Sequence, residues 1–247
     1  MDTERLRNWP RGWQRLSEIA RRDILVQMGH VIAIDGPAGA GKSTIARGLA
    51  ERLGFVYIDS GAMYRAVALW AIREGVALDD AHRLEQLALA ANIELLPGRR
   101  VHLNGDDVSD AIRTPEVSGG ASRVAAIGAV RSAMVAKQQR MADRADVVME
   151  GRDIGTVVFP EARVKIFLDA DPAERVRRRA GEQPDVPAGQ LAAQIAERDE
   201  RDRRRVESPL VQAPDAIYLD STGLTEQQVQ EEILKVVRSR ISNGKEY

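Results

Sequence analysis

There is no cysteine anywhere in the chain. That absence excludes disulfides, thiolate catalysis, iron–sulfur clusters and cysteine zinc sites, and it fits a reducing compartment. Histidine is scarce as well. His30, His82 and His102 are scattered and form no His-x-x-x-His pair, so no histidine-built metal site is expected. No stretch approaches the roughly 18 consecutive apolar residues that a membrane-spanning helix needs. Net charge is nearly absent: 36 basic and 37 acidic residues leave a formal charge of -1. No overall field therefore draws the chain toward nucleic acid or an anionic membrane. These absences lead us to expect no nucleic-acid polymer and no membrane as partner, and a cytoplasmic location; a monomer is expected as well. Lysine is the last scarcity. Only five are present, at 42, 137, 165, 235 and 245, so the basic residues are overwhelmingly arginine. Arginine is the residue best shaped for forked contacts to phosphate, which makes its placement worth following.

What is present fits one sizeable domain with insertions, since 247 residues can bury a core without staples. Gly36-Pro37-Ala38-Gly39-Ala40-Gly41-Lys42-Ser43 spells a phosphate-binding loop. It follows the apolar run Val31–Ile34 and precedes Thr44–Ala50, a helical start, which is the strand–turn–helix setting the motif requires. Glycines let successive backbone N–H groups converge on phosphate oxygens, and a helix N-terminus adds partial positive charge. Gly36 to Thr44 are thus expected to bind a nucleoside triphosphate, with Lys42 on the outer phosphates and the Ser43 hydroxyl on Mg²⁺.

Short apolar runs recur at Val31–Ile34, Phe55–Ile58, Val147–Met149, Val164–Leu168 and Ala216–Leu219, separated by helical patterns. This predicts an α/β fold, a parallel sheet with helices on both faces, whose ligands bind beyond the carboxyl ends of the strands. Two segments break the alternation. Residues 93–108 place Pro97-Gly98 and Asn104-Gly105 between short strands, which predicts a small antiparallel sheet, followed by a helix from about Pro115 to Ala145. Residues 175–205 are dense in charge and interrupted by Gln183–Pro187, the build of two helices and a mobile lid. Residues 1–28 carry Trp9 and Trp13 with many charges, and are expected to be a dispensable extension ahead of a domain over 29–247.

At the strand ends, Ser60 is a good N-cap, and Tyr64 shares its helical face with Arg65 alongside. Arg152 can fork onto a phosphate while Asp153 accepts from an amine or hydroxyl. Arg198, Asp202 and Arg205 lie four and three residues apart, one stripe able to bind anionic oxygens and a sugar hydroxyl. Val164–Asp169 is similar to the strand and aspartate that hold Mg²⁺ in many phosphate-loop ATPases. No glutamate follows to activate water, and no Asn-Lys-x-Asp guanine motif exists.

Taken in order, Gly36–Ser43, Asp59-Ser60-Gly61-Ala62-Met63-Tyr64-Arg65, Val117–Ala125, Gly151–Pro160 and Glu197–Arg205 resemble the bacterial cytidylate kinases from about Val31 onward. The resemblance implies an adenylate-kinase-like member of the phosphate-loop NTPases that phosphorylates CMP and dCMP with ATP and Mg²⁺. It implies that residues 93–145 form a monophosphate-binding insertion and 175–205 a lid. It implies that Ser60 and Tyr64 seat the nucleotide, and that Arg65, Arg152 and Arg205 hold its phosphate. Ser122, Arg131 and Asp153 would read cytosine, and Arg198 and Asp202 the ribose. With Lys42, the arginines 65, 152, 198 and 205 form the expected catalytic set. Glu150 stands where the family often has aspartate. Rival readings are a kinase for another small anion, such as shikimate or gluconate, and a nucleotide-gated binding module.

Overall fold

The computed structural model describes residues 29–143 and 145–241. The expected extension over 1–28 lies outside the described residues. Five strands, β1 (Val31–Asp35), β2 (Val56–Asp59), β6 (Val147–Gly151), β7 (Val164–Asp169) and β8 (Ile217–Asp220), form one sheet in the order β2-β6-β1-β7-β8. Every pairing is parallel, with Val31 opposite Val147 and Ile32 opposite Val164. All five apolar runs of the sequence are strands, within two residues at each end.

The alternation of β1 shows why the sheet needs helices on both faces. Ile32 and Ile34 pack with Leu49 of α1 (Lys42–Leu53) and with Val229, Ile233 and Val237 of α8 (Glu226–Arg240). Val31 and Ala33 pack on the opposite side with Ile58, Met149, Ile154 and Val158. Each fully buried Ile or Val contributes on the order of 1.5–3 kcal/mol over its exposed state. A third cluster joins α2 (Ser60–Arg73), α3 (Ala81–Ala90), α4 (Pro115–Val124) and α5 (Gly128–Met141) to a small sheet.

That small sheet is antiparallel, in the order β3 (Ile93–Leu96), β4 (Arg100–Leu103), β5 (Asp106–Asp107). Asn104 and Gly105 both have positive φ, 54° and 95°, the signature of a type I′ hairpin turn. The helix expected over Pro115–Ala145 is two helices, broken at Ala125–Ile127. Local propensity gives no stop there, because alanine favours helix. The break is tertiary in origin: Arg131 of α5 donates Nη1 to the freed Ala125 carbonyl at 3.0 Å. The charge-dense segment folds as α6 (Pro172–Glu182) and α7 (Ala188–Arg204), joined by the polar loop the sequence indicated. Arg205 already has extended backbone, one residue beyond α7.

Candidate active site

The carboxyl ends of β1, β2 and β6 open into a cleft of about 1530 Å³. The phosphate loop crosses one end. Gly36 makes the turn out of β1 with φ 148°, and a Cβ there would sit 1.9 Å from the Leu168 carbonyl oxygen, so a side chain would lift the loop off β7. Gly41, in the left-handed region, precedes α1, whose N-terminus has no side-chain cap. The first-turn N–H groups are thereby left for an anion. Lys42 is buried and donates Nζ to the Pro37 carbonyl at 2.6 Å. Burial, then the nearby Arg152 guanidinium, pushes its ammonium down to about 7.

Across the cleft from Lys42, carboxylates organise the arginines. Asp59, rather than Ser60, is the N-cap of α2: it accepts from the Ala62 N–H at 2.8 Å and from Arg65 Nη2 at 2.7 Å. Ser60 is the first helical residue, and its hydroxyl donates to the Glu150 carbonyl at 2.6 Å. Aspartate outcompetes serine for the cap because its anion also pairs with Arg65. Asp202 is buried and bridges two cations, accepting from Arg152 Nε at 2.8 Å and from Arg205. Those guanidinium groups hold its carboxyl below the usual range against the pull of burial. The stripe inferred from helical spacing is therefore real, although Arg205 joins it from just past the helix end. Arg198 has no such anchor. Its Nε is buried without a partner, and burial, then Arg152, pushes its guanidinium down to about 9. Arg65 and Arg205 also keep a buried, unpartnered Nε.

Deeper in the cleft, Arg131 and Asp153 form a buried ion pair. Arg131 also lies over the Tyr64 ring, with Cζ 5.4 Å from its centroid. The Ser122 hydroxyl is buried beside them with no partner of its own. The turn carrying Arg152 and Asp153 is tied to the phosphate-loop strand by Asp35, whose carboxylate accepts the N–H groups of Ile154 and Gly155 at 2.8 and 2.7 Å. Burial pushes that carboxyl up to about 6 despite both bonds.

A metal at Ser43 finds suitable surroundings. Burial, then repulsion by Asp59, raises the Glu150 carboxyl, while Lys42 and the hydroxyls of Ser43 and Tyr57 pull it back. Two carboxyls that repel beside an alcohol suit a divalent cation brought in on phosphates. Among the described residues no group of three or more acidic or histidine side chains could cage a metal unaided. Asp169, which the strand pattern offered for this role, lies at the end of β7, its Oδ1 accepting its neighbour's N–H at 2.8 Å, and does not line the cleft. Glu150 of β6 is the strand-end acid beside the loop, because β6 and not β7 separates β1 from β2.

A cleft that pairs a phosphate loop with an arginine cluster and a buried Arg–Asp pair suits two phosphorylated ligands. The sequence profile of the cytidylate kinases matches residues 32–239. The chain belongs to the cytidylate kinase family. It is 65% identical over 223 residues to the cytidylate kinase of Solibacter usitatus, covering 88% of this chain and 96% of that one. It is 48% identical over 230 residues to the bifunctional pantoate ligase/cytidylate kinase of a Nostoc species, where it spans only 43% of the longer protein. Among solved structures, an uncharacterized protein from Eubacterium ventriosum superposes with a TM-score of 0.51 at 13% identity, covering 85% of this chain and 99% of that one. That last likeness concerns the fold alone.

Each residue that the family resemblance pointed to for the monophosphate lines the cleft: Ser60, Tyr64, Arg65, Ser122, Arg131, Arg152, Asp153, Arg198, Asp202 and Arg205. Of the loop, Ala38, Gly39, Gly41, Lys42, Ser43 and Thr44 line it, whereas Gly36, Pro37 and Ala40 shape the turn from behind. Sequence reasoning missed Tyr57, and it gave Asp35 and Asp59 no role beyond their places at strand ends. The signal available for the two aspartates was their place as the last residue of a strand.

Proposed function

We infer that this chain transfers the γ-phosphoryl group of ATP to CMP and dCMP, giving CDP and dCDP. The reaction is direct and in line. The acceptor is already a phosphate anion, so no strong general base is needed, and positioning plus charge neutralisation carry the rate. The observation that carries this reading is the convergence of Lys42, Arg65, Arg152, Arg198 and Arg205 on one cleft that also holds the Arg131–Asp153 pair.

In this proposal residues 36–44 hold ATP, and Lys42 donates to its outer phosphates. Arg65, Arg152 and Arg205 take the CMP phosphate, with Arg198 and Asp202 near the ribose. Ser60 and Tyr64 seat the nucleotide. Asp153 and Ser122 accept from the exocyclic amine of cytosine, and Arg131 donates to its ring. Uracil leaves such groups unpaired, at about 1–3 kcal/mol each. Ser43 would hold Mg²⁺ directly, with Glu150 and Asp59 behind it. The ion supplies charge neutralisation and phosphate orientation. Residues 93–145 act as the monophosphate-binding insertion, and the α6–α7 pair as a lid that excludes water. A monomer in the cytoplasm completes the proposal. It is consistent with there being no helix, among the described residues, long and apolar enough to cross a membrane.

A coupled assay of ADP release across CMP, dCMP, UMP, AMP, shikimate and gluconate tests the reading. CMP and dCMP should be the best acceptors. Preference for a sugar acid, or ATP loss without a phosphorylated acceptor, overturns it.

A further inference from the structure

The buried charges around the phosphate loop include a pair that faces neither phosphate nor acceptor. Asp199 of α7 and Arg175 of α6 are 2% and 7% exposed, and they form an ion pair with each other. Between them they grip one residue of the loop, Ala38, through the two successive peptide units that flank it. The Ala38 N–H donates to Asp199 Oδ1 at 2.9 Å, and Arg175 Nη1 donates to the Ala38 carbonyl at 3.1 Å. Arg175 is itself fixed by a bond from Nε to the Ala170 carbonyl at 3.2 Å, at the end of β7. At Gly39, φ is 77°, and a Cβ would lie 3.1 Å from both Cβ and the carbonyl oxygen of Arg175, so loop and helix touch backbone to backbone. One turn along α6, Arg178 repeats the grip. It donates Nη1 to the Ala40 carbonyl at 3.1 Å and to Ser221 Oγ at 2.9 Å.

We propose that Asp199 and Arg175 are positioning residues for ATP, a clamp on the Ala38 backbone that holds the phosphate loop in its binding shape. The physical reason is the planarity of the peptide unit. A C=O and the following N–H point in opposite directions, so turning the carbonyls of Ala38 and Ala40 outward onto arginines turns the N–H groups of Gly39 and Gly41 inward. A glycine-rich loop left alone has many other conformations. Fixing its outer carbonyls removes that entropy before the ligand arrives, which is preorganisation. A buried ion pair is a poor device for stability alone, since desolvation opposes it. Here it supplies one acceptor and one donor to the same residue, which an apolar pair of equal size cannot do.

The inference rests on the reading of this loop as the ATP site, and calorimetry on the full chain separates the two. A non-hydrolysable ATP analogue with Mg²⁺, and CMP, are titrated separately into wild type, Asp199→Ala, Asp199→Asn and Arg175→Lys. Asp199→Ala should weaken the ATP analogue by about tenfold or more while CMP stays within about twofold. Asp199→Asn keeps an oxygen for the Ala38 N–H and should recover part of the loss. Arg175→Lys should fall between wild type and Asp199→Ala, and it stands in if Asp199→Ala does not melt cooperatively. Wild-type affinity in the folded variants, or equal loss for both ligands, overturns the clamp alone. A wild-type chain that fails to bind the ATP analogue overturns the ATP reading and the clamp with it.

Discussion

Lys42 carries a cost in the free cleft that a triphosphate, bound as proposed, would remove. Its ammonium is buried and faces Arg152 and Arg198, which is why its pKa falls to about 7. The sign follows from comparison with a free lysine at roughly 10.4. A base depressed on folding favours the fold at high pH, and this contribution is lost as pH falls through about 7. Triphosphate reverses the balance by supplying negative charge at the ammonium. ATP binding at pH 8, where Lys42 is mainly neutral and the phosphates are ionised, should therefore take up roughly one proton. Calorimetry in two buffers of different ionisation enthalpy measures it, and Lys42→Ala should show none. The same variant should nearly abolish turnover while melting as a folded protein. Zero uptake by the wild type would mean that Lys42 is already charged in the free cleft.

At the scale of elements, the Arg131–Asp153 pair joins α5 to the turn after β6, and each side chain is satisfied mainly by the other. Asp153→Ala leaves a buried cation facing the base site. We expect kcat/KM for CMP to fall and the preference over UMP to shrink by about 10- to 100-fold, from 1–3 kcal/mol of lost pairing. Parallel decline for CMP and UMP would remove Asp153 from base reading. The elements that build this site differ in how plainly the sequence shows them. The strands of the large sheet are legible because residues such as Ile32 and Val31 must be apolar on both faces, and the phosphate loop because its glycines and Lys42 are contiguous. Arg198 and Asp202 share a face that helical spacing makes legible, whereas Arg205 lies one residue past the helix end. By contrast, Asp59 displaces Ser60 as cap only because Arg65 turns back onto it. The break at Ala125 exists only because Arg131 reaches its carbonyl. Glu150 replaces Asp169 beside the loop because of strand order, which no local pattern encodes.

For the molecule as a whole, the near-zero net charge conceals a separation. The cleft gathers Lys42 and several arginines, and burial, then repulsion by Arg152, lowers both Lys42 and Arg198. Opposing carboxylates compensate unevenly: Asp202 serves both Arg152 and Arg205, whereas Arg198 keeps a buried Nε without a partner. Among the described residues Arg198 therefore carries a buried cation with no carboxylate bonded to it, which a bound anion would satisfy, a stability cost accepted for function. Arg198→Met keeps most of the side-chain volume and removes that charge. If the apo protein gains about 1 kcal/mol, its Tm should rise by roughly 2–4 °C, while kcat falls and CMP binds more weakly. Saturating CMP should then stabilise the variant less than the wild type, because ligand stabilisation follows RT ln(1 + [L]/Kd). A variant that melts several degrees lower without nucleotide would show that Arg198 supports the fold, and that the stress assigned to the open cleft lies elsewhere.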